Sequence, residues 1–204
     1  QNVDVEIGKL DWSSLEDALT PGDIVVSMLP SHLHITVANI CLSHSTHFVS
    51  SSYANAAMMS LDKAAKSANL SFVNEVGLDP GLDHLFAHAL MEKYQRSSSF
   101  NKNNQHYFRS HCGGFPKDAN DFMYKFSWSP LGVLMALRAP AQWIDQGEIS
   151  ATDKPWLNIE EHEISLAAGR TETFEMYPNR DSLPFKQLYD FGDDWNIKQF
   201  IRGT

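Results

Sequence analysis

Three residues carry most of the chemistry this sequence could perform. Asp79 stands in Gly77-Leu-Asp-Pro-Gly81, where the Pro-Gly pair that follows holds a carboxylate in a fixed turn. A carboxylate held in this way can accept and return a proton, or bind an ammonium group. The same position would let it cap a helix starting near Gly81, which is a purely structural job. Cys112 precedes Gly113-Gly114, and neighbours without side chains leave its thiol accessible. Burial as an inert thiol is nevertheless the commoner fate of a cysteine. Arg180, in Tyr177-Pro-Asn-Arg-Asp-Ser182, offers a planar fork that matches a carboxylate, with Asp181 as its local alternative partner.

Other chemistries fit less well. The nine histidines include the groups His32/His34, His44/His47, His84/His88 and His106/His111/His162. His84 and His88 share a helix face at i, i+4, but the glutamate of an H-E-x-x-H pair is missing, so no metal site is expected. Ser50-Ser51-Ser52 lacks the G-x-S-x-G setting of a serine nucleophile. Before Gly77 the chain has only Gly8 and Gly22, so the glycine-rich turn that lets a backbone approach a pyrophosphate is not present. Either no dinucleotide binds, or the first βαβ unit lies upstream of Gln1.

The elements that must position these residues read as two regions. Asp23–Leu29, His47–Ser51 and Leu70–Val76 are strand-like runs. Between them lie a helical stretch with Leu33, Val37, Ile40 and Cys41, capped by Ser31, and a second one over Ala56–Ala68 with its stripe on Ala57, Leu61, Ala64, Ala65 and Ala68. Strands alternating with helices predict a parallel sheet, whose carboxyl ends carry ligands. Those ends fall at Ser27–Pro30, Ser50–Tyr53 and Asn74–Gly81. From Gly81 onward the texture changes. Leu82, Leu85, Phe86, Ala89, Leu90 and Tyr94 predict a helix, and Pro130 opens another through Leu137. Gln105–Cys112, Phe122–Trp128, Trp143–Ser150 and Glu172–Tyr177 predict strands, giving an α+β layer with helices on one face of a sheet.

Composition narrows the setting. Sixteen Lys+Arg against 25 Asp+Glu give a net charge of −9, and the pI is near 5.4, which opposes nucleic-acid binding. No apolar run approaches the roughly 20 residues that span a bilayer, so no membrane association is expected. An apolar fraction of 43% excludes a disordered chain. Two cysteines, Cys41 and Cys112, fit a reducing, cytoplasmic compartment. The opening residues lack the features of a signal peptide, and a start at Gln1 predicts a piece of a longer protein.

Several stretches together resemble the saccharopine dehydrogenase family of the NADP-dependent, glutamate-forming type. They are Val26-Ser-Met-Leu-Pro30, Ser51-Ser-Tyr53 with Met58-Met59-x-Leu-Asp62, and Asn74-Glu-Val-Gly-Leu-Asp-Pro-Gly-Leu-Asp-His84. Cys112-Gly-Gly114, Tyr124-Lys-Phe-Ser-Trp-Ser129, Tyr177-Pro-Asn-Arg-Asp-Ser182 and Arg202-Gly-Thr204 follow in the family's order. Carboxynorspermidine dehydrogenases share a version of the Asp-Pro-Gly motif; the Cys-Gly-Gly and Lys-Phe-Ser-Trp-Ser stretches lean toward saccharopine. The resemblance implies the C-terminal half of a Rossmann-type NADP-binding sheet over residues 1–80, then an α+β substrate-binding and dimerisation domain over 81–204.

It also implies a homodimer in lysine metabolism that oxidises saccharopine, a small amino-acid substrate, to glutamate and aminoadipate semialdehyde with NADP, NAD being the alternative. Met28, Ser50, Ser51, Leu78, Asp79, Pro80 and Trp128 would line the cofactor, with Leu10 and Asp11 near its adenine. Ser52, Tyr53, Asp79 and Arg180 would contact substrate, Arg202 adding a second cation. Asp79, Cys112 and Tyr53 would be the polar groups nearest the reacting bond. The rival expectations are a carboxynorspermidine dehydrogenase-like oxidoreductase and a non-catalytic dimerisation or ligand-sensing domain. Without the glycine-rich turn, the 204 residues alone are expected to be inactive.

Overall fold

The computed structural model describes residues 8, 11–118, 120–166 and 169–204, so Leu10 lies outside the described residues. The chain divides into two compact units, Gln1–Leu82 and Asp83–Thr204. Among the described residues no helix is long and apolar enough to cross a membrane.

In the first unit β1 (Ile24–Ser27), β2 (His47–Ser50) and β3 (Phe72–Val73) form a parallel sheet in that order, with Ile24 opposite His47 and Phe48 opposite Phe72. Helix α1 (Trp12–Ala18) precedes the sheet, its first turn capped by the Asp11 side chain. Helix α2 (His34–Ser43) follows β1 after a short 3-10 turn and lays Val37, Ala38 and Cys41 on Phe48; Met58 completes this core. Burial pushes the Cys41 thiol upward, which makes it an inert apolar filler.

The single helix expected over Ala56–Ala68 is instead two, α3 (Ala56–Met59) and α4 (Asp62–Ser67). The Asn55 side chain caps the first at Met58 N, and the Ser60 hydroxyl bonds back to the Ala57 carbonyl where the chain turns. The break turns Met58 and Ala65 inward and leaves Ala57, Ala64 and Ala68 exposed. β3 is shorter than its apolar run because Glu75 adopts φ 63 and turns the chain.

The second unit is built on a four-stranded sheet in the order β4-β9-β5-β6. Its strands are β4 (His106–His111), β5 (Ala141–Asp145), β6 (Glu148–Thr152) and β9 (Ile197–Gly203), with β4 and β9 parallel and β5 antiparallel to both neighbours. A separate antiparallel pair, β7 (Glu160–Ser165) and β8 (Thr171–Met176), helices α5 (Leu82–Gln95), α6 (Pro130–Leu137) and α7 (Pro184–Leu188), and a 3-10 turn over Pro155–Leu157 accompany this sheet. Aromatic side chains form the core: Phe108, Tyr189, Phe191 and Phe200, closed by Ala87 and Met91 of α5.

Two strand expectations are corrected in this unit. The Trp143–Ser150 run is a hairpin, because Gln146 and Gly147 both take positive φ (51° and 89°), the backbone of a tight two-residue turn. Phe122–Trp128 is irregular rather than a strand, since Met123 turns at φ 54 and the Asn120 amide binds the Tyr124 carbonyl. The helix expected from Leu82 to Tyr94 is present as α5, which buries Ala87 and Met91 at i, i+4 and leaves Leu85, Phe86 and Leu90 exposed. Against a core of large aromatic rings, the small Ala87 lets the helix approach closely.

Candidate functional site

The carboxyl ends of the parallel strands meet in the first unit. β1 ends at Ser27, and Met28 beyond it is 77% exposed. β2 ends at Ser50, which is buried, and its hydroxyl donates to Asn74 Oδ1 at 3.1 Å. The loop that follows, 51–54, is fastened to the strand beside it. Val76 N donates to the Ser50 carbonyl and Glu75 N to the Ser52 carbonyl, both at 3.2 Å. The turned-out Glu75 carboxylate accepts the Ala54 N–H at 3.0 Å. From the opposite side the imidazole of His34 reaches Ser52 Oγ at 3.0 Å.

The Gly77–Gly81 segment forms the facing wall. Gly77 N donates to the Pro80 carbonyl and Leu82 N to the Gly77 carbonyl, both at 2.9 Å, and the Asp79–Pro80 peptide is cis. Gly81 has φ 145, and a β-carbon there would overlap the Gly77 backbone, so this loop requires glycine. Pro80 is buried, Leu78 and Asp79 are exposed, and the Tyr53 hydroxyl donates to Asp79 Oδ1 at 2.7 Å. A carboxylate and a phenol thus share one hydrogen bond at the open end of a parallel sheet. That pair can bind a cation or relay a proton.

Cys112 and Arg180 lie in the second unit, at the carboxyl end of β4 and β9. Cys112 is half-buried and its N–H donates to the Gly203 carbonyl at 3.1 Å. His111 beside it is a neutral ring near neutral pH. Burial first, then the neighbouring His162 and Arg109, pull its pKa down to about 4 against a weaker upward pull from Glu160. The 177–181 segment closes the same end of the sheet, where Tyr177 and Thr204 exchange backbone hydrogen bonds and the Arg180 carbonyl accepts Gln142 N. Arg180 itself is exposed, at φ 58. Trp128 is 60% exposed, and its ring lies where a β-carbon on Gly132 would be.

Arg202, expected to supply a second substrate cation, is instead a core residue. Its guanidinium meets Asp83 Oδ2 at 2.6 Å and lies 3.8 Å over the Phe185 ring, with both charged side chains about one-tenth exposed or less (10% and 8%). Two of the histidines have structural partners in the second unit: His84 bonds Tyr189 at 2.8 Å and His106 stacks on Trp195 at 4.8 Å. Among the described residues no group of three or more His, Cys, Asp or Glu could hold a metal ion. Sequence reasoning missed His34 and Glu75 as supports of the Ser52–Tyr53 loop. Glu75 could have been found from its place before the glycine turn; His34 stands out in the sequence only as half of the His32/His34 pair.

Comparison with known proteins places both units. The model of the saccharopine dehydrogenase NADP binding domain matches residues 3–73, and that of the saccharopine dehydrogenase C-terminal domain matches 77–204. The saccharopine dehydrogenase [NADP(+), L-glutamate-forming] of Pyricularia oryzae is 38% identical over 197 residues, which are 95% of this chain and 42% of that protein. The Saccharomyces cerevisiae protein of the same name is 35% identical, over 98% of this chain and 44% of its own length. An Arabidopsis thaliana alpha-aminoadipic semialdehyde synthase is 34% identical over 98% of this chain and 19% of its own. The solved structure of the apo saccharopine dehydrogenase (L-Glu forming) from Saccharomyces cerevisiae superposes with a TM-score of 0.77 at 34% identity, covering 94% of this chain and 42% of that one. The chain therefore spans about two fifths of the length of the saccharopine dehydrogenases it matches.

Proposed function

Because the chain belongs to the saccharopine dehydrogenase family, we propose that it forms the central part of an NADP-linked oxidoreductase that interconverts saccharopine with L-glutamate and aminoadipate semialdehyde. The observation that carries this reading is the Tyr53–Asp79 hydrogen bond at the open carboxyl end of a parallel sheet. Turnover is assigned to a polypeptide of the relatives' full length. The exposed apolar side chains of β1, Ile24 at 66% and Val26 at 60%, support a larger sheet packing than these residues provide.

The residues present fit one end of the cofactor. Met28, Ser51 and Leu78 have accessible side chains at the strand ends, where nucleotide ligands of such sheets bind. Among the described residues no glycine-rich turn faces a pyrophosphate, so that end is not supplied here. NADP, when bound, accepts a hydride from the carbon next to the secondary amine. Asp79 takes the proton that the substrate's ammonium group must lose, and Tyr53 orients the carboxylate and relays the proton toward solvent. Water would then add to the carbon of the protonated imine, and Asp79 would carry the proton lost by that water to the nitrogen as the carbon–nitrogen bond breaks, releasing amine and aldehyde. Arg180 binds a substrate carboxylate.

The assay is direct: the full-length polypeptide with saccharopine and NADP should reduce the cofactor, followed by absorbance. No change with saccharopine sinks the assignment, while activity with carboxynorspermidine would keep the chemistry and change the substrate. The role of Arg180 is tested by Arg180→Ala. The residue already carries a β-carbon at φ 58, so alanine adds no new kind of backbone strain. Calorimetry is expected to show substrate binding weaker by ~1–3 kcal/mol, the loss of a charge-assisted pair. Unchanged affinity would remove Arg180 from the site and favour a non-catalytic domain.

A further inference from the structure

His34 opens α2 on the face that packs against β2, and it is 3% exposed. Both ring nitrogens are engaged: Nδ1 lies 2.9 Å from Ser27 Oγ at the end of β1, and Nε2 lies 3.0 Å from Ser52 Oγ in the loop after β2. The ring edge meets Phe48 at a centroid distance of 6.3 Å. A neutral imidazole carries one N–H and one lone pair, so one of the two hydroxyls must donate to it and the other must accept. Whichever tautomer is present, the ring fixes both hydroxyl rotors in opposite senses. Burial holds the His34 pKa below its ordinary value, which favours the neutral ring that this arrangement needs.

Ser52 is thereby pinned from two directions, through its hydroxyl by His34 and through its carbonyl by Glu75 N. The next residue is Tyr53, whose hydroxyl must land on Asp79. We propose that His34 is a positioning residue whose Nε2 fixes the Ser52 hydroxyl, and with it the loop that presents Tyr53 to Asp79. This inference rests on the reading of that loop as part of the substrate site.

Two near-isosteric replacements separate this role from ordinary core packing. The side-chain amide of Asn reaches the place of Nδ1 and can keep the Ser27 contact, whereas that of Gln reaches the place of Nε2 and can keep the Ser52 contact. In the full-length enzyme His34→Asn is expected to lower kcat/KM for saccharopine by about tenfold, equivalent to ~1.4 kcal/mol. His34→Gln should stay close to wild type, with similar losses of melting temperature in both. Equal activity losses, or a larger loss in His34→Gln, would overturn the proposal. A second readout does not depend on turnover. The nitrogen-15 imidazole resonances of His34 should move in Ser52→Ala. If they stay in place the inference fails by itself; if they move while no variant or wild type turns over saccharopine, the substrate assignment fails and the positioning role stands.

Discussion

Asp79→Asn is expected to lower kcat of the full-length enzyme by about 10²–10⁴-fold, the range for loss of a positioned proton-transfer group, with almost no change in melting temperature. The argument rests on what asparagine keeps. Its Oδ1 can still accept the Tyr53 hydroxyl, now received by Asp79 at 2.7 Å, and its size suits the same turn between Gly77 and Gly81. Asparagine is also as good a helix cap as aspartate. What disappears is the negative charge and the ability to take a proton. A structural cap tolerates the exchange and a base does not. Tyr53→Phe should cost less, since it removes the orienting hydrogen bond and leaves the carboxylate. Near-wild-type turnover in Asp79→Asn would retire the proton-handling role and leave Asp79 as part of a turn.

Much of this site could be read from sequence because its parts are local. The Asp-Pro-Gly turn, the β-branched runs of β1 and β2 and the strand-end serines each announce themselves within a few residues. The elements that escaped are those defined by distant partners. β9 reads as mixed, Ile-Lys-Gln-Phe-Ile-Arg, yet Gln199 is 5% and Arg202 8% exposed. Gln199 accepts from Arg109 on β4, and Arg202 pairs with Asp83 on α5. Polar residues that are buried through partners about a hundred positions away leave no periodic trace. The same reasoning explains α5. Periodicity weighs Leu85, Phe86 and Leu90 by size, whereas the core selects Ala87 and Met91 by fit. His34 escaped because its value lies in two serines, Ser27 and Ser52, that sit on different strands' ends.

The other large effect concerns stability. Arg202→Met is expected to destabilise the second unit by ~3–5 kcal/mol, the usual cost of removing one member of a buried ion pair. Most of that cost falls on Asp83, which loses its short charged contact and is left with weaker ones such as His84 Nδ1, 3.5 Å from its Oδ2. Asp83 is 8% exposed, and Arg202 approaches its carboxylate at 2.6 Å from the neighbouring element. Water cannot replace the guanidinium there without opening the packing of Phe185, over which the charge also lies. The backbone of Arg202 is bound on both sides as well, its N–H by Ser182 Oγ at 2.9 Å and its carbonyl by Asn179 N at 3.0 Å, so the strand cannot shift to relieve the vacancy. Removing both charges is a different matter. In Asp83→Leu/Arg202→Met both members of the pair are removed together, and buried pairs replaced by apolar groups of similar volume often regain full stability. Urea unfolding followed by tryptophan fluorescence should therefore show a large loss in the single variant and recovery of most of it in the double. If the double variant were as unstable as the single, the cost would lie in lost packing on Phe185 rather than in the carboxylate deprived of its guanidinium.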